Sequence, residues 1–238
     1  MIISHKHKFI FLKTRKTAGT SIEIALSQFC GNDDVITPIA DEDERKREEL
    51  GFLRPRNYEV PLRYLSKLDW VRWIQTGKRK QFFNHVGAQF VRDHVGEDVW
   101  RTYFKFCFER NPFDKAISRY YWSTREPRPA LNEYFDTVPV AFLSDWPIYT
   151  INDQIAVDFV GRYERFADDL AAVAQRIGLP EQLSLPKAKG EYRTNRAHYS
   201  DVLDAHARAR IELVCAKEIT ALDYRWTHPA SSAPLAVG

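Results

Sequence analysis

Cysteine is scarce in this chain: Cys30, Cys107 and Cys215 are the three among 238 residues. An odd number, widely spaced and without a CxxC pair, excludes a disulfide framework and a thiolate zinc site, and it fits a reducing compartment. Cys107 lies in the apolar run 104–108, where a small buried hydrophobe is expected rather than a nucleophile. No stretch approaches the length of a membrane span, and the apolar run in MIISHKHKFIFLK is too short for a signal peptide. The expectation is a cytoplasmic protein with no membrane span. A GxxxxGKS/T loop, a GxGxxG signature and a GxSxG elbow are all missing, as is any cluster of residues at metal-ligand spacing. The net charge of +3 is too small to argue for nucleic acid.

What the chain does have is an ordinary globular balance, 44% hydrophobic and 28% charged, enough to bury a core without a disulfide or metal staple. Its charge is unevenly placed. Residues 1–20 hold five Lys and Arg (Lys6, Lys8, Lys13, Arg15, Lys16) and no acid, while residues 51–80 hold eight against Glu59 and Asp69. Such local basic surface points to an anionic ligand. The run DEDERKREE at 41–49 mixes signs and reads as solvated helix or loop.

The pattern along the chain alternates strands and helices. His7–Lys13 reads as a buried strand, followed by the turn TRKTAG and a helix from Thr20 with Ile22, Leu26 and Phe29 on one face. Residues 32–60 look like an excursion from the core. Helical spacing returns over Leu62–Thr76, where Trp70, Trp73 and Ile74 are expected to face the core, and Gly77 is the stop. Phe104–Glu109 is a second strand, and Pro112 opens a helix behind it. A third strand covers Asp158–Tyr163, a helix Ala167–Ile177, and one long final helix runs from about Ser200 to about Leu222. This order predicts an α/β fold: a single domain over 1–238, a central parallel β-sheet flanked by helices, and 32–80 as an insertion or lid on the acceptor side. Ligands in such sheets bind at the carboxyl ends of the strands.

Two segments put phosphate-binding chemistry at that location. In the first, Lys16, Thr17, Ala18, Gly19, Thr20 and Ser21 form a P-loop-like strand–loop–helix junction. Backbone N–H groups at the helix start converge on an anion, Lys16 adds charge, and Thr20 and Ser21 either cap the helix or donate to the anion. Lys16 precedes the glycine, so this is not a Walker loop. The plain alternative is a capped helix with Lys16 in solvent. The second segment is RNPFDKAIS: Arg110 ends a strand, and Ser118, eight residues on, lies about two turns into the next helix. Its plain alternative is an arginine paired with a carboxylate at the sheet edge.

Together KTAGTS and RNPFDKAIS, the latter followed by YYW, resemble the sulfotransferases that use 3′-phosphoadenosine 5′-phosphosulfate (PAPS). The style is that of the carbohydrate (heparan and chondroitin type) enzymes and their bacterial counterparts. The resemblance implies that Lys16–Ser21 hold the 5′-phosphosulfate and that Arg110 and Ser118 hold the 3′-phosphate. It further implies that LPKAKGEYR lends Lys189, Gly190 and Arg193, and that the Tyr163–Glu164 pair and the Tyr-x-Trp tail are structural. Arg15 stands where the cytosolic steroid and phenol enzymes carry proline.

Sulfuryl transfer needs a base for the acceptor hydroxyl, and histidine titrates near working pH. Of seven histidines, His85 falls between the two motifs and resembles the family's histidine there, so it is the candidate general base. Lys16 is expected to stabilise the departing phosphate oxygen. No metal is required. Basic and aromatic residues over 54–80, and Tyr120–Trp122 with Arg125 and Arg128, suggest a hydroxylated saccharide or glycolipid acceptor. The rival readings are a nucleotide-dependent kinase or phosphoryl transferase, and a non-catalytic module binding nucleotide and polyanion.

Overall fold

A computed structural model describes residues 1–179, 183, 185–186 and 197–228. In chain order it contains β1 (Ile2–Ser4), β2 (Phe9–Phe11), α1 (Gly19–Ser27), β3 (Val35–Ile36), α2 (Asp41–Glu49), α3 (Lys67–Thr76), α4 (Ala88–Val95) and α5 (Glu97–Thr102). Then come β4 (Phe104–Glu109), α6 (Pro112–Ser123), α7 (Leu131–Thr137), α8 (Trp146–Tyr149), β5 (Thr150–Ile151), β6 (Gln154–Ile155) and β7 (Phe159–Arg162). Four helices follow: α9 (Phe166–Arg176), α10 (Tyr199–Val202), α11 (Ala205–Val214) and α12 (Ala216–Ala221). Two compact units result, one from Met1–Arg110 and the segment beginning at Asp145, the other from Asn111–Ser144 and the C-terminal helices.

The first unit is an α/β arrangement around a five-stranded sheet of order β3-β1-β2-β4-β7. Its centre is parallel, with Phe11 opposite Phe106 and Phe106 opposite Phe159. The sheet as a whole is mixed, which corrects the expectation of a parallel sheet. β1 runs antiparallel to β2, because the four-residue turn 5–8 is far too short for a crossover, and it is antiparallel to β3 on its other side. The strand expected over His7–Lys13 is shorter, and the missed strand β1 is just three residues long.

Pleating explains the continuous apolar runs. Ile3, Ile10, Leu12 and Cys107 pack on one face with Val91 of α4 and Ile148 of α8. Ile2, Phe9, Phe11, Phe106 and Phe108 pack on the other with Ile22 and Leu26 of α1 and Leu170 and Val173 of α9. Both faces are covered, so no polar alternation survives in the sequence. All three cysteines are buried, and none of them forms a disulfide.

Residues 32–80 are less peripheral than expected. β3 joins the sheet, Val60 is buried, and α2, the mixed-charge run, buries Asp43 and Arg47. The helix expected over Leu62–Thr76 begins later, because Ser66 and Asp69 form a reciprocal capping box, and it ends at Gly77 with φ 68°. Contrary to expectation, no residue of α3 is buried.

In the second unit Asn111 caps α6 by accepting from the Phe113 N–H at 3.0 Å, with Pro112 in the first turn. Phe113, Ile117, Tyr120, Phe135, Ala207 and Ile211 form its core. The Tyr-x-Trp tail is structural here: the Trp226 ring meets Phe113 edge-on at 4.8 Å. The single long final helix is corrected to three. The Asp204 side chain accepts from the Ala207 N–H and starts α11 afresh. No helix among the described residues is long and apolar enough to cross a membrane.

Candidate functional site

The site is built where β2 and β4 end side by side. Leaving β2, Thr14 donates its hydroxyl to the Phe108 carbonyl on β4 and lies 2.9 Å from the Thr17 hydroxyl, which anchors the loop to the sheet. Lys16 and Ala18 then adopt left-handed backbone, φ 60° and 58°. Non-glycine residues in that region are uncommon and cluster at binding sites. Ala18 is the residue before α1, and no side chain caps the helix. Thr20 and Ser21, expected to cap or to bind an anion, therefore do not cap. The first turn holds no acid either. A helix start entered through alternating left-handed residues, with no capping side chain, turns its N–H groups toward one point.

Glycine at position 19 has a steric cause. A Cβ there would sit 2.8 Å from Lys13 Cγ, because the Lys13 side chain runs beneath the start of α1. That side chain is buried and its Nζ lies 2.9 Å from Glu23 Oε2. Glu23, wholly buried, also faces the Met1 amine at 3.0 Å, Arg47 Nη2 at 3.7 Å and the Thr37 hydroxyl at 3.1 Å. Burial by itself pushes the Glu23 carboxyl up, but Lys13, the Met1 amine and Arg47 together outweigh it and bring it down to about 2. Lys13 is thus committed to an internal carboxylate.

His85 precedes α4 with φ 59°, and its Nδ1 lies 2.8 Å from the Lys13 carbonyl oxygen. A carbonyl can only accept, so Nδ1 carries the proton and Nε2 keeps its lone pair. Burial, then the Lys13 and Arg15 charges, bring the His85 pKa down to about 4, with Asp145 opposing. The ring is therefore neutral at neutral pH. Other histidine rings bond elsewhere: His5 to Tyr103, His94 to Phe90, His198 to Ser200 and His206 to Asp136.

The parallel pairing of β2 with β4 brings Arg110 to the same place. Its Nη1 donates to the Lys16 carbonyl at 3.2 Å, and its guanidinium lies 4.2 Å from the centre of the Tyr163 ring. Tyr163 therefore does more than fill space: it is a platform for Arg110. The Arg110 N–H is held by buried Glu109 at 2.9 Å. Ser118 belongs to α6 in the second unit. Lys189, Gly190 and Arg193 lie outside the described residues.

One residue escaped sequence reasoning altogether. Buried Asp145 accepts the Arg15 N–H at 2.7 Å through Oδ2 and the Arg15 guanidinium at 2.5 Å through Oδ1. Nothing local marks it, since the two residues are 130 apart in sequence. Arg15 is thus clamped from a distance.

The profile of the sulfotransferase family matches residues 1–137. An uncharacterised protein of Archaeoglobus fulgidus is 36% identical over 104 residues, covering 41% of this chain and 87% of that protein. Carbohydrate sulfotransferase 14 of Danio rerio is 24% identical over 205 residues, covering 81% of this chain. The chain spans about half of that enzyme, 52% of its length. No solved structure matches.

Proposed function

We propose that this chain, which belongs to the sulfotransferase family, moves a sulfuryl group from PAPS to a hydroxyl of a saccharide-type acceptor. The observation that carries the reading is the uncapped start of α1, entered through left-handed Lys16 and Ala18, beside a neutral histidine whose Nε2 lone pair is available. The same arrangement fits the donor: N–H groups of 16–21 for the 5′-phosphosulfate, and Arg110, already oriented by Tyr163, for the 3′-phosphate. The motif adds Ser118 to the 3′-phosphate contacts, and the family resemblance adds Lys189, Gly190 and Arg193. The whole of 1–238 is read as one sulfotransferase domain. The saccharide acceptor rests on the similarity to the zebrafish carbohydrate sulfotransferase.

PAPS supplies an electrophilic sulfur with a phosphate leaving group. His85 Nε2 accepts the acceptor's hydroxyl proton as that oxygen bonds to sulfur in line with the breaking S–O bond. Lys16 and the N–H groups of the loop stabilise charge on the departing phosphate oxygen. Burial, then the Lys13 and Arg15 charges, keep the His85 ring in its neutral form, the one that can accept a proton.

The test is mass spectrometry of a panel of oligosaccharides, glycolipids and phenols incubated with PAPS and the protein. A mass gain of one sulfuryl group on a sugar hydroxyl supports the proposal. Sulfation confined to phenols refutes the acceptor. No transfer, combined with no melting shift from 3′-phosphoadenosine 5′-phosphate (PAP), refutes the site.

A further inference from the structure

α3 is amphipathic the wrong way round. At 3.6 residues per turn, Trp70, Ile74, Lys67, Val71, Gln75 and Leu68 fill one arc of about 160°. That arc faces solvent: Leu68 is 79% exposed, Ile74 81%, Val71 49% and Trp70 39%. The opposite side is the one held to the protein. Asp69 accepts from the Ser66 N–H and pairs with Lys80 at 3.0 Å, and Trp73 carries the Arg79 guanidinium at 5.5 Å. A surface helix normally turns its apolar stripe inward. Here the first unit is already complete without it, for no residue of α3 is buried.

Charge around the stripe is one-sided. Between residues 60 and 80 the sequence has Arg63, Lys67, Arg72, Lys78, Arg79 and Lys80 against Asp69 alone. Arg79 pairs with Glu59 and Lys80 with Asp69, while Arg63, Lys67, Arg72 and Lys78 are exposed and form no ion pair among the described residues. Lys67 rises from within the apolar arc and Arg72 stands at its margin. Long basic side chains beside aliphatic groups, with tryptophan at the edge, are the chemistry of a helix lying in a lipid headgroup layer. We propose that α3 docks the protein on an anionic phospholipid surface, with Leu68, Val71 and Ile74 in the acyl boundary and Arg63, Lys67, Arg72 and Lys78 on lipid phosphates.

Charge complementarity selects this occupant. A second copy of the chain would bring the same four unpaired cations against each other. A free sugar chain would satisfy the cations but leave Leu68, Val71 and Ile74 without an apolar partner. An anionic bilayer satisfies both. The inference needs nothing of the proposed reaction.

Vesicle flotation tests it, using the whole chain with phosphatidylcholine alone and with about a third phosphatidylglycerol, at low and high salt. The protein is expected to float with anionic vesicles, to float far less with neutral ones, and to be released by salt. Leu68→Glu with Ile74→Glu should abolish flotation, while Lys67→Gln with Arg72→Gln, which removes two charges, should cut partitioning on the order of 30-fold. These side chains are exposed, so an unchanged melting temperature will show that the variants fold. Failure to float with anionic vesicles, or equal flotation with neutral ones, overturns the proposal. A dimer in sedimentation velocity that Leu68→Glu with Ile74→Glu dissolves overturns it in favour of a second copy.

Discussion

Asp145→Ala strips the loop at 14–19 of two restraints at once. In the wild type both carboxylate oxygens are engaged, one by the Arg15 N–H at 2.7 Å and one by its guanidinium at 2.5 Å. Hydrogen bonds to a charged group are each worth about 1.5–3 kcal/mol. The Arg15 side chain is 20% exposed against 1% for Asp145, so solvent screens part of the ionic contribution. A total near 3 kcal/mol follows, which in a chain of this size lowers Tm by about 6–12 °C. The donor site should suffer as well, because a loosened loop must be ordered on binding. An ordering cost of about 1–2 kcal/mol weakens PAP by roughly 5–30-fold. Asp145→Asn retains an oxygen for the Arg15 N–H and loses only the charge, so it should fall between. Calorimetric titration with PAP and thermal melts of the two variants are the assays. If Asp145→Ala melts within a degree or so of wild type and binds PAP unchanged, the clamp does not hold the loop and the reasoning fails.

Three further outcomes follow from the same geometry. His85→Ala should leave PAP affinity nearly intact and cut turnover by roughly 10²–10⁴-fold; a retained rate would give the base role to another residue. Gly19→Ala places a methyl 2.8 Å from Lys13 Cγ and so disturbs both the Lys13–Glu23 pair and the carbonyl that orients His85. Its turnover should fall more steeply than PAP affinity, and equal wild-type values would show that Lys13 yields without consequence. Acid should destabilise the chain in two windows, read by urea melts from pH 7 to pH 3. Burial and nearby cations depress His85 from 6.5 to about 4, so its contribution is complete above pH 6.5 and drains as pH falls toward 4. Glu23 is depressed from 4.5 to about 2, and its contribution is lost between those values. His85→Gln should reduce the loss in the upper window without abolishing it, because the Met1 amine, lowered by burial from 8.0 to about 5, contributes there as well; a variant with the wild-type slope between pH 6.5 and 4 would contradict the His85 assignment.

How much of this was legible beforehand differs from element to element. The loop 16–21, the strand ending at Arg110 and the proline-started helix α6 were readable because each is a local pattern: strand periodicity, a glycine turn, a helix start. The break between α10 and α11 was also local, in Asp204, yet the apolar spacing across it suggested continuity and hid the cap. β1 was missed because three residues carry no period. The exposed stripe of α3 is a different failure: helical spacing located the helix but said nothing of which side meets the protein.

Residue order alone determined the two motifs proposed to bind anions, each legible within about ten residues, the position of His85 between them and the alternation that makes an α/β fold. Tertiary structure decided what those groups can do. The 94-position separation of Lys16 and Arg110 vanishes through parallel pairing of β2 with β4. The 130-position separation of Arg15 and Asp145 closes into one clamp. The tautomer of His85 is set by a carbonyl 72 positions away, and its low pKa by burial that no sequence window contains. Charge and dielectric act through space, so the chain must fold before they have values.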